Sequence, residues 1–279
     1  MALRKFRISR SLVIAIACLG LASLAIGAHA ALNKRSADAA IAAAASRADA
    51  GAIARVALVI GNGHYPDAGA PLAQPINDAR AVTAALRHDG FDVDVVEDAT
   101  RDDMARAVAR LKAKIKPQSV VMVYFGGYGV QVGRESYMIP VDAAIWKERD
   151  IQRDGTSIES VLGALKDSGA QAKLVVLDAS RRNPYERRFR GYSRGLAPIV
   201  AADNALVLSS ASPGTVADDA GGQNSVLVTE LLRNLDSKPV SAEDAFTRTR
   251  AAVTRATDGQ QVPAISSSLV DDVTFGAGS

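Results

Sequence analysis

The feature that most constrains the fold of this chain is a series of short, nearly continuous Val, Leu and Ile runs separated by segments with helical spacing. Such apolar runs are typical of parallel strands that are buried on both faces, and the helices between them then cover the two faces of the sheet. We therefore predict one three-layer α/β domain with an open, mostly parallel sheet. The predicted strands are residues 56–60, 91–96, 119–125, 172–177, 205–210 and 264–268.

Segments with apolar residues at helical spacing lie between these runs. Thr100 stands where a helix would begin, with Asp103 three residues later, which is the arrangement of an N-terminal capping pair. The predicted helices are residues 77–89, 100–115, 157–167, 225–234 and 242–256.

The first thirty residues have the composition of an export signal. Residues 11–28 are almost wholly apolar, four basic residues precede them, and Ala28-His29-Ala30 has the small residues that signal peptidase prefers. We expect cleavage there and an exported protein, periplasmic or secreted. Two alternatives remain open: residues 11–28 could stay as a membrane anchor, or Cys18 could be a lipoprotein site. The Ala-rich residues 31–54 are predicted to be a linker, and residues 55–279 to be the domain.

The charge of the chain depends on this leader. The chain has 33 basic and 30 acidic residues, and four of the basic ones lie in residues 1–30, which leaves 29 against 30. A nearly neutral mature chain does not favour nucleic acid or an anionic membrane surface as partner. Membrane association is expected only if the leader is not cleaved.

Cys18 is the only cysteine, and it lies inside the leader. A chain that begins at Ala31 has no thiol, so it forms no disulfide and offers no cysteine nucleophile or thiolate ligand. We predict no metal site and no cofactor.

Three short motifs follow predicted strands, at the sheet edge where open α/β sheets bind ligands. The first, residues 61–66, begins like a dinucleotide fingerprint but has Pro66 where the third glycine belongs. In the second, the glycines around Tyr128 favour a tight turn that exposes this tyrosine in a cleft, or alternatively a glycine-rich hairpin. In the third, Asp178 and Ser180 are two residues apart and point to the same side in extended backbone.

The order and spacing of these motifs resemble those of the caspase-like cysteine peptidases, especially the bacterial metacaspase-type branch, over residues 55–275. The stretch Tyr-Phe-Gly-Gly-Tyr-Gly at 124–129 resembles Tyr-Ala/Ser-Gly-His-Gly, with Tyr128 at the histidine position. The stretch Leu-Asp-Ala-Ser-Arg-Arg-Asn-Pro-Tyr at 177–185 resembles Leu-Asp-Ala-Cys-Arg-Asn-Asn-Pro-Phe, with Ser180 at the cysteine position. Tyr128 and Ser180 are 52 residues apart, close to the separation of about 50 between histidine and cysteine in caspases. The resemblance implies the caspase-type open sheet.

Both substitutions remove the chemistry of the family. A serine hydroxyl is a poor nucleophile without a positioned base, and a tyrosine with a pKa near 10 is only about 0.1% ionised at pH 7. We expect a pseudo-peptidase without the family's activity. Two alternatives remain: a residual hydrolase in which His64, oriented by Asp178 or Asp67, acts as base for Ser180, and a purely structural module of the cell envelope.

The resemblance also implies a binding pocket. In the metacaspase-type branch, acidic residues that match Asp78 and Asp178 line the pocket for an Arg or Lys side chain, and Gly126 and Gly127 lie beside it. Two carboxylates can hold a guanidinium by charge-assisted hydrogen bonds. We therefore expect a peptide or protein with an exposed Arg or Lys as partner. The alternatives are that Asp78 only stabilises a helix N-terminus and that Asp178 only organises its turn.

Overall fold

The structure, a computed structural model, describes residues 53–68, 71–189, 194–201, 203–217, 221–236 and 239–276. The predictions for the export signal, the anchor, Cys18 and nearly all of the linker lie outside these residues. Within the described ranges, no helix combines the length and apolar character needed to cross a membrane.

Six strands form the main sheet: β1 Arg55–Gly61, β2 Asp92–Glu97, β3 Val120–Gly126, β7 Ala172–Asp178, β8 Ala205–Ser209 and β10 Ala264–Ser267. Their order in the sheet is β10-β8-β7-β3-β1-β2. All neighbours in it are parallel except β10, which pairs antiparallel with β8. The order of the strands reverses between β1 and β3, and the crevice at the carboxyl ends of these two strands is the usual ligand site of such sheets.

Helices cover both faces of the sheet. They are α1 Pro75–His88, α2 Arg101–Lys114, α3 Glu148–Asp154, α4 Ile158–Lys166, α5 Val226–Leu235 and α6 Ala242–Ala256. Buried residues of α1, α5 and α6, such as Val82, Leu231 and Phe246, pack on one face, and residues of α2 and α4, such as Leu111 and Leu165, pack on the other. This arrangement confirms the predicted three-layer α/β domain.

The predicted elements lie within two residues of the observed ones at each end. The Thr100 prediction is confirmed, because Asp103 donates its backbone N–H to Thr100 Oγ1 at 3.2 Å and Thr100 N–H donates to Asp103 Oδ2 at 3.1 Å. Helix α3 and the small antiparallel strands were not predicted from the sequence. These strands are β4 Gly129–Val132, β5 Glu135–Met138, β6 Thr156–Ser157, β9 Val240–Ser241 and β11 Thr274–Phe275.

Gly61, the last residue of β1, allows the start of α1 to approach the sheet. A Cβ added at Gly61 would lie 2.4 Å from the carbonyl oxygen of Pro75 and 2.7 Å from Cβ of Ala79. Because backbone must move to relieve this overlap, we expect Gly61→Ala to lower the free energy of unfolding by about 1–3 kcal/mol in urea denaturation. The control is Gly163→Ala in α4, where the added Cβ meets no described atom beyond its own helix within 4 Å. The control should be neutral or stabilising, and equal midpoints for the two variants would contradict the packing argument.

Candidate functional site

The carboxyl ends of three neighbouring strands form the candidate site. Gly61 of β1 pairs with Gly126 of β3, and Gly126 pairs with Asp178 of β7, so these strand ends lie side by side. Asp78 is in the first turn of α1, and α1 begins beside Gly61 for the reason given above. The fold therefore brings Asp78 and Asp178 to the same edge of the sheet.

Asp78 is fully buried. Its Oδ1 accepts hydrogen bonds from Asn224 Nδ2 at 2.8 Å and from the backbone N–H of Ser225 at 3.0 Å. Its Oδ2 is buried and has no hydrogen-bond partner among the described residues. Burial, reinforced by the negative charge of Asp178, raises the pKa of Asp78 to about 7. This carboxyl therefore changes its charge near neutral pH.

Asp178 is 2% exposed, and its Oδ2 also lacks a hydrogen-bond partner in the described part of the chain. The guanidinium of Arg181 is close to this carboxylate, with its Nη2 3.7 Å from Asp178 Oδ2. Arg181 is itself only 4% exposed, and its positive charge acts on Asp78 as well, where it lowers the pKa. We call Asp78 and Asp178 the acidic pair. With both carboxylates ionised, the acidic pair and Arg181 together carry one net negative charge.

Tyr124 contributes a third buried oxygen that the sequence analysis did not identify. Its hydroxyl has no hydrogen-bond partner among the described residues. Burial, followed by the charges of Asp78 and Asp178, raises its pKa well above the ordinary value, so it stays a neutral phenol. Gly126 lies directly against it, since an added Cβ there would be 2.8 Å from the Tyr124 hydroxyl. Gly127 is also at the site and donates its N–H to the carbonyl of Asp178 at 3.2 Å.

Ser180 is fully buried, and its Oγ makes no hydrogen bond to any described residue. Its backbone is held on both sides: its N–H donates to Ser210 Oγ at 3.2 Å, and its carbonyl accepts from the N–H of Ala217 at 2.6 Å. The hydroxyl is therefore closed to solvent and has no hydrogen-bonded base among the described residues.

Tyr128 is not exposed in a cleft, so that prediction is wrong. It is 6% exposed, and its ring packs edge-on against Tyr65 with the ring centroids 4.8 Å apart. Its N–H donates to the Tyr65 hydroxyl at 3.0 Å, and that hydroxyl donates to the carbonyl of Ile139 at 3.1 Å. The turn therefore directs the ring into an aromatic cluster. Burial also raises the pKa of Tyr128, which makes a tyrosinate base less accessible still.

His64 is on the other side of β1 from Ser180. Its side chain is 75% exposed, and its Nδ1 lies 2.6 Å from Asp98 Oδ2. Asp98 follows β2, whereas Ser180 follows β7, on the opposite side of β1 in the sheet. The pairing of His64 with Ser180, which the alternative of a residual hydrolase requires, is therefore not formed, and the carboxylate beside the ring is neither Asp178 nor Asp67. Asp67 instead accepts hydrogen bonds from Ile145 N–H at 3.2 Å and Arg188 Nη1 at 2.8 Å.

Within the described ranges, no three or more His, Cys, Asp or Glu side chains come together in a way that could hold a metal ion.

An open sheet with a parallel core, helices on both faces and a site built from the loops after β3 and β7 defines a caspase-type α/β domain. The family model of the caspase domain, peptidase C14, matches residues 54–274, and the chain belongs to this family. A comparison with curated proteins gives no match.

Proposed function

We propose that this protein is an exported, catalytically silent caspase-like domain that binds a basic segment of a peptide or protein partner. The observation that carries the proposal is the acidic pair, in which each carboxylate has a buried oxygen without a hydrogen-bond donor among the described residues. The apolar leader at residues 1–30 supports the export part of the proposal.

The surroundings of Ser180 and Tyr128 support the proposed lack of catalytic activity. A serine becomes a useful nucleophile when an adjacent base takes its proton. Ser180 Oγ is buried without a hydrogen-bond partner in the described residues. The Tyr128 side chain, which stands at the histidine position in the family resemblance, has a pKa raised by burial and cannot accept a proton from Ser180 at neutral pH.

Binding is supported by the chemistry of the acidic pair. A buried carboxylate oxygen without a donor costs free energy, and buried charges are normally paired. A guanidinium or ammonium group supplies both the missing donors and the opposite charge. A guanidinium suits two carboxylates better than an ammonium does, because its N–H groups form a planar fork that can reach both.

The proposal is tested by calorimetric titration of the purified protein with a short arginyl peptide. The matched ligand is the same peptide with citrulline, which keeps the shape of arginine but has no charge. We expect measurable binding of the arginyl peptide, and a loss of about tenfold or more with citrulline, since hydrogen bonds to charged groups contribute about 1.5–3 kcal/mol.

The matched variants for this titration change buried and exposed carboxylates. Asp78→Asn/Asp178→Asn should abolish binding, whereas Asp92→Asn should not change it, because the Asp92 side chain is 63% exposed and pairs with Lys114 away from the site. If the double variant binds the arginyl peptide as well as the unchanged protein does, the acidic pair is not the binding site. If no peptide binds at all, a purely structural module becomes the better description.

A further inference from the structure

The direction of the Arg181 side chain is unusual for an arginine in a basic segment. The next residue, Arg182, has a 75% exposed side chain that pairs with Glu186. The Arg181 side chain is 5% exposed and turns inward, toward Asp178. Arginine is almost never this buried unless it is paired. Two adjacent arginines therefore differ in role, and only Arg181 is part of the site.

Arg181 lies where a ligand of the acidic pair would have to place its charge. Its guanidinium is next to Asp178 Oδ2, and its charge is felt by Asp78. Both carboxylates are essentially closed to solvent, at 0% and 2% exposure. A cation from outside therefore reaches them only if a covering group moves.

Arg181 is the covering group that a ligand cation can replace. Its guanidinium Nη2 lies 3.7 Å from Asp178 Oδ2 and carries the same charge as an incoming arginine. On the other side, Ser225 donates its backbone N–H to Asp78 at 3.0 Å and caps α5 through its hydroxyl, which accepts from Val228 N–H at 3.1 Å. Moving Ser225 would break a helix cap as well as a buried hydrogen bond, whereas replacing Arg181 exchanges one cation for another.

We propose that Arg181 is an internal ligand of the acidic pair, and that an incoming arginyl segment binds by displacing its guanidinium. This inference rests on the proposed function, because it concerns the same pocket. It adds the ligand class, a guanidinium, and a form of regulation: the pocket is self-occupied in the resting protein. The apparent affinity for a partner is then reduced by the fraction of molecules in which Arg181 has left the pocket.

The test removes the internal ligand and supplies a small replacement. Arg181→Ala leaves an acidic cavity, and we expect millimolar ethylguanidinium to raise the melting temperature of this variant while leaving the unchanged protein unaffected. Arg182→Ala is the matched control and should not respond. The arginyl peptide should bind Arg181→Ala at least about tenfold more tightly than the unchanged protein, since a minor open state is populated at about 0.1–10%.

The outcomes separate the two proposals. If the peptide binds the unchanged protein and Arg181→Ala equally, and the Asp78→Asn/Asp178→Asn variant not at all, the pocket stands and the internal ligand is rejected. If neither peptide nor ethylguanidinium acts on any of these proteins, both proposals are rejected.

A second measurement covers the case in which Arg181→Ala does not fold. In ¹⁵N-labelled unchanged protein, the Nε–Hε resonance of Arg181, assigned by its loss in Arg181→Lys, should move to a solvent-exposed position when the arginyl peptide is added. Binding of the peptide with this resonance unchanged would overturn the displacement.

Discussion

Incubated with an arginyl peptide at neutral pH, the purified protein should release no product above the rate in buffer alone. Removing the catalytic residues of a serine protease lowers turnover by roughly 10⁶-fold, and here the serine hydroxyl is buried without a hydrogen-bonded base among the described residues. The expected turnover is therefore lower than that of an intact peptidase by about this factor. Cleavage is measured by mass spectrometry after long incubation.

Labelling with a fluorophosphonate probe tests the same prediction independently. Because the probe reacts with activated serines, we expect no labelling of Ser180 in the folded protein. Ser180→Ala is the control, and it should give the same background as the unchanged protein in both assays. Peptide hydrolysis or labelling that disappears in Ser180→Ala would establish a serine hydrolase and defeat the pseudo-peptidase proposal.

We expect the substitution Asp78→Asn to stabilise the folded protein above neutral pH. The pKa of Asp78 is raised by burial from 3.8 to about 7, so the folded state binds one more proton than the unfolded state between these pH values. The stability that Asp78 contributes is therefore fully present below pH 4 and is lost as the pH rises to 7. A shift of about three units corresponds to a loss of about 4 kcal/mol above pH 7. The amide of the variant has no proton to lose, and we expect Asp78→Asn to be more stable at pH 8 by about this amount.

Urea denaturation between pH 4 and pH 8 checks this prediction. The unchanged protein should lose stability over this range through Asp78, while Asp78→Asn should show a flatter profile. The groups that set the pKa of Asp78 are Asp178 and Arg181, with hydrogen bonds from Asn224 and Ser225. Asp178→Asn is the informative contrast, because it removes the carboxylate nearest to Arg181 and should destabilise the protein. Parallel pH profiles for Asp78→Asn and the unchanged protein would show that Asp78 is not the titrating group.

The sheet and its helices could be predicted from sequence because local signals and burial agree in them. Parallel strands buried on both faces leave uninterrupted apolar runs, as in β3 and β7, where every residue is buried. The helix that begins after Thr100 shows its start in the residues of its capping box. The β4–β5 hairpin was missed because its strands have only four residues each. Its one local signal is Gly133, which has φ of 63° in the turn.

The candidate site was predictable in position but not in detail. Asp78, Asp178 and Gly126 come together because strand ends meet at one edge of a parallel sheet, which is a property of the topology. The directions of Tyr128 and His64 depend on partners that lie far away in the sequence. Tyr128 is oriented by Tyr65, which is 63 residues away in the chain, and His64 by Asp98, which is 34 residues away.

Ser180 is so deeply buried that a reactive side chain at this position would not meet a substrate. A cysteine placed at this position would start inside the protein, with its backbone carbonyl held by Ala217 and its sulfur out of reach of a substrate. Apolar burial raises the pKa of a thiol and so reduces its reactive thiolate fraction. Placing His at position 128 and Cys at position 180 would therefore not by itself create an accessible nucleophile, because the segment that contains Ala217 would first have to move away from residue 180.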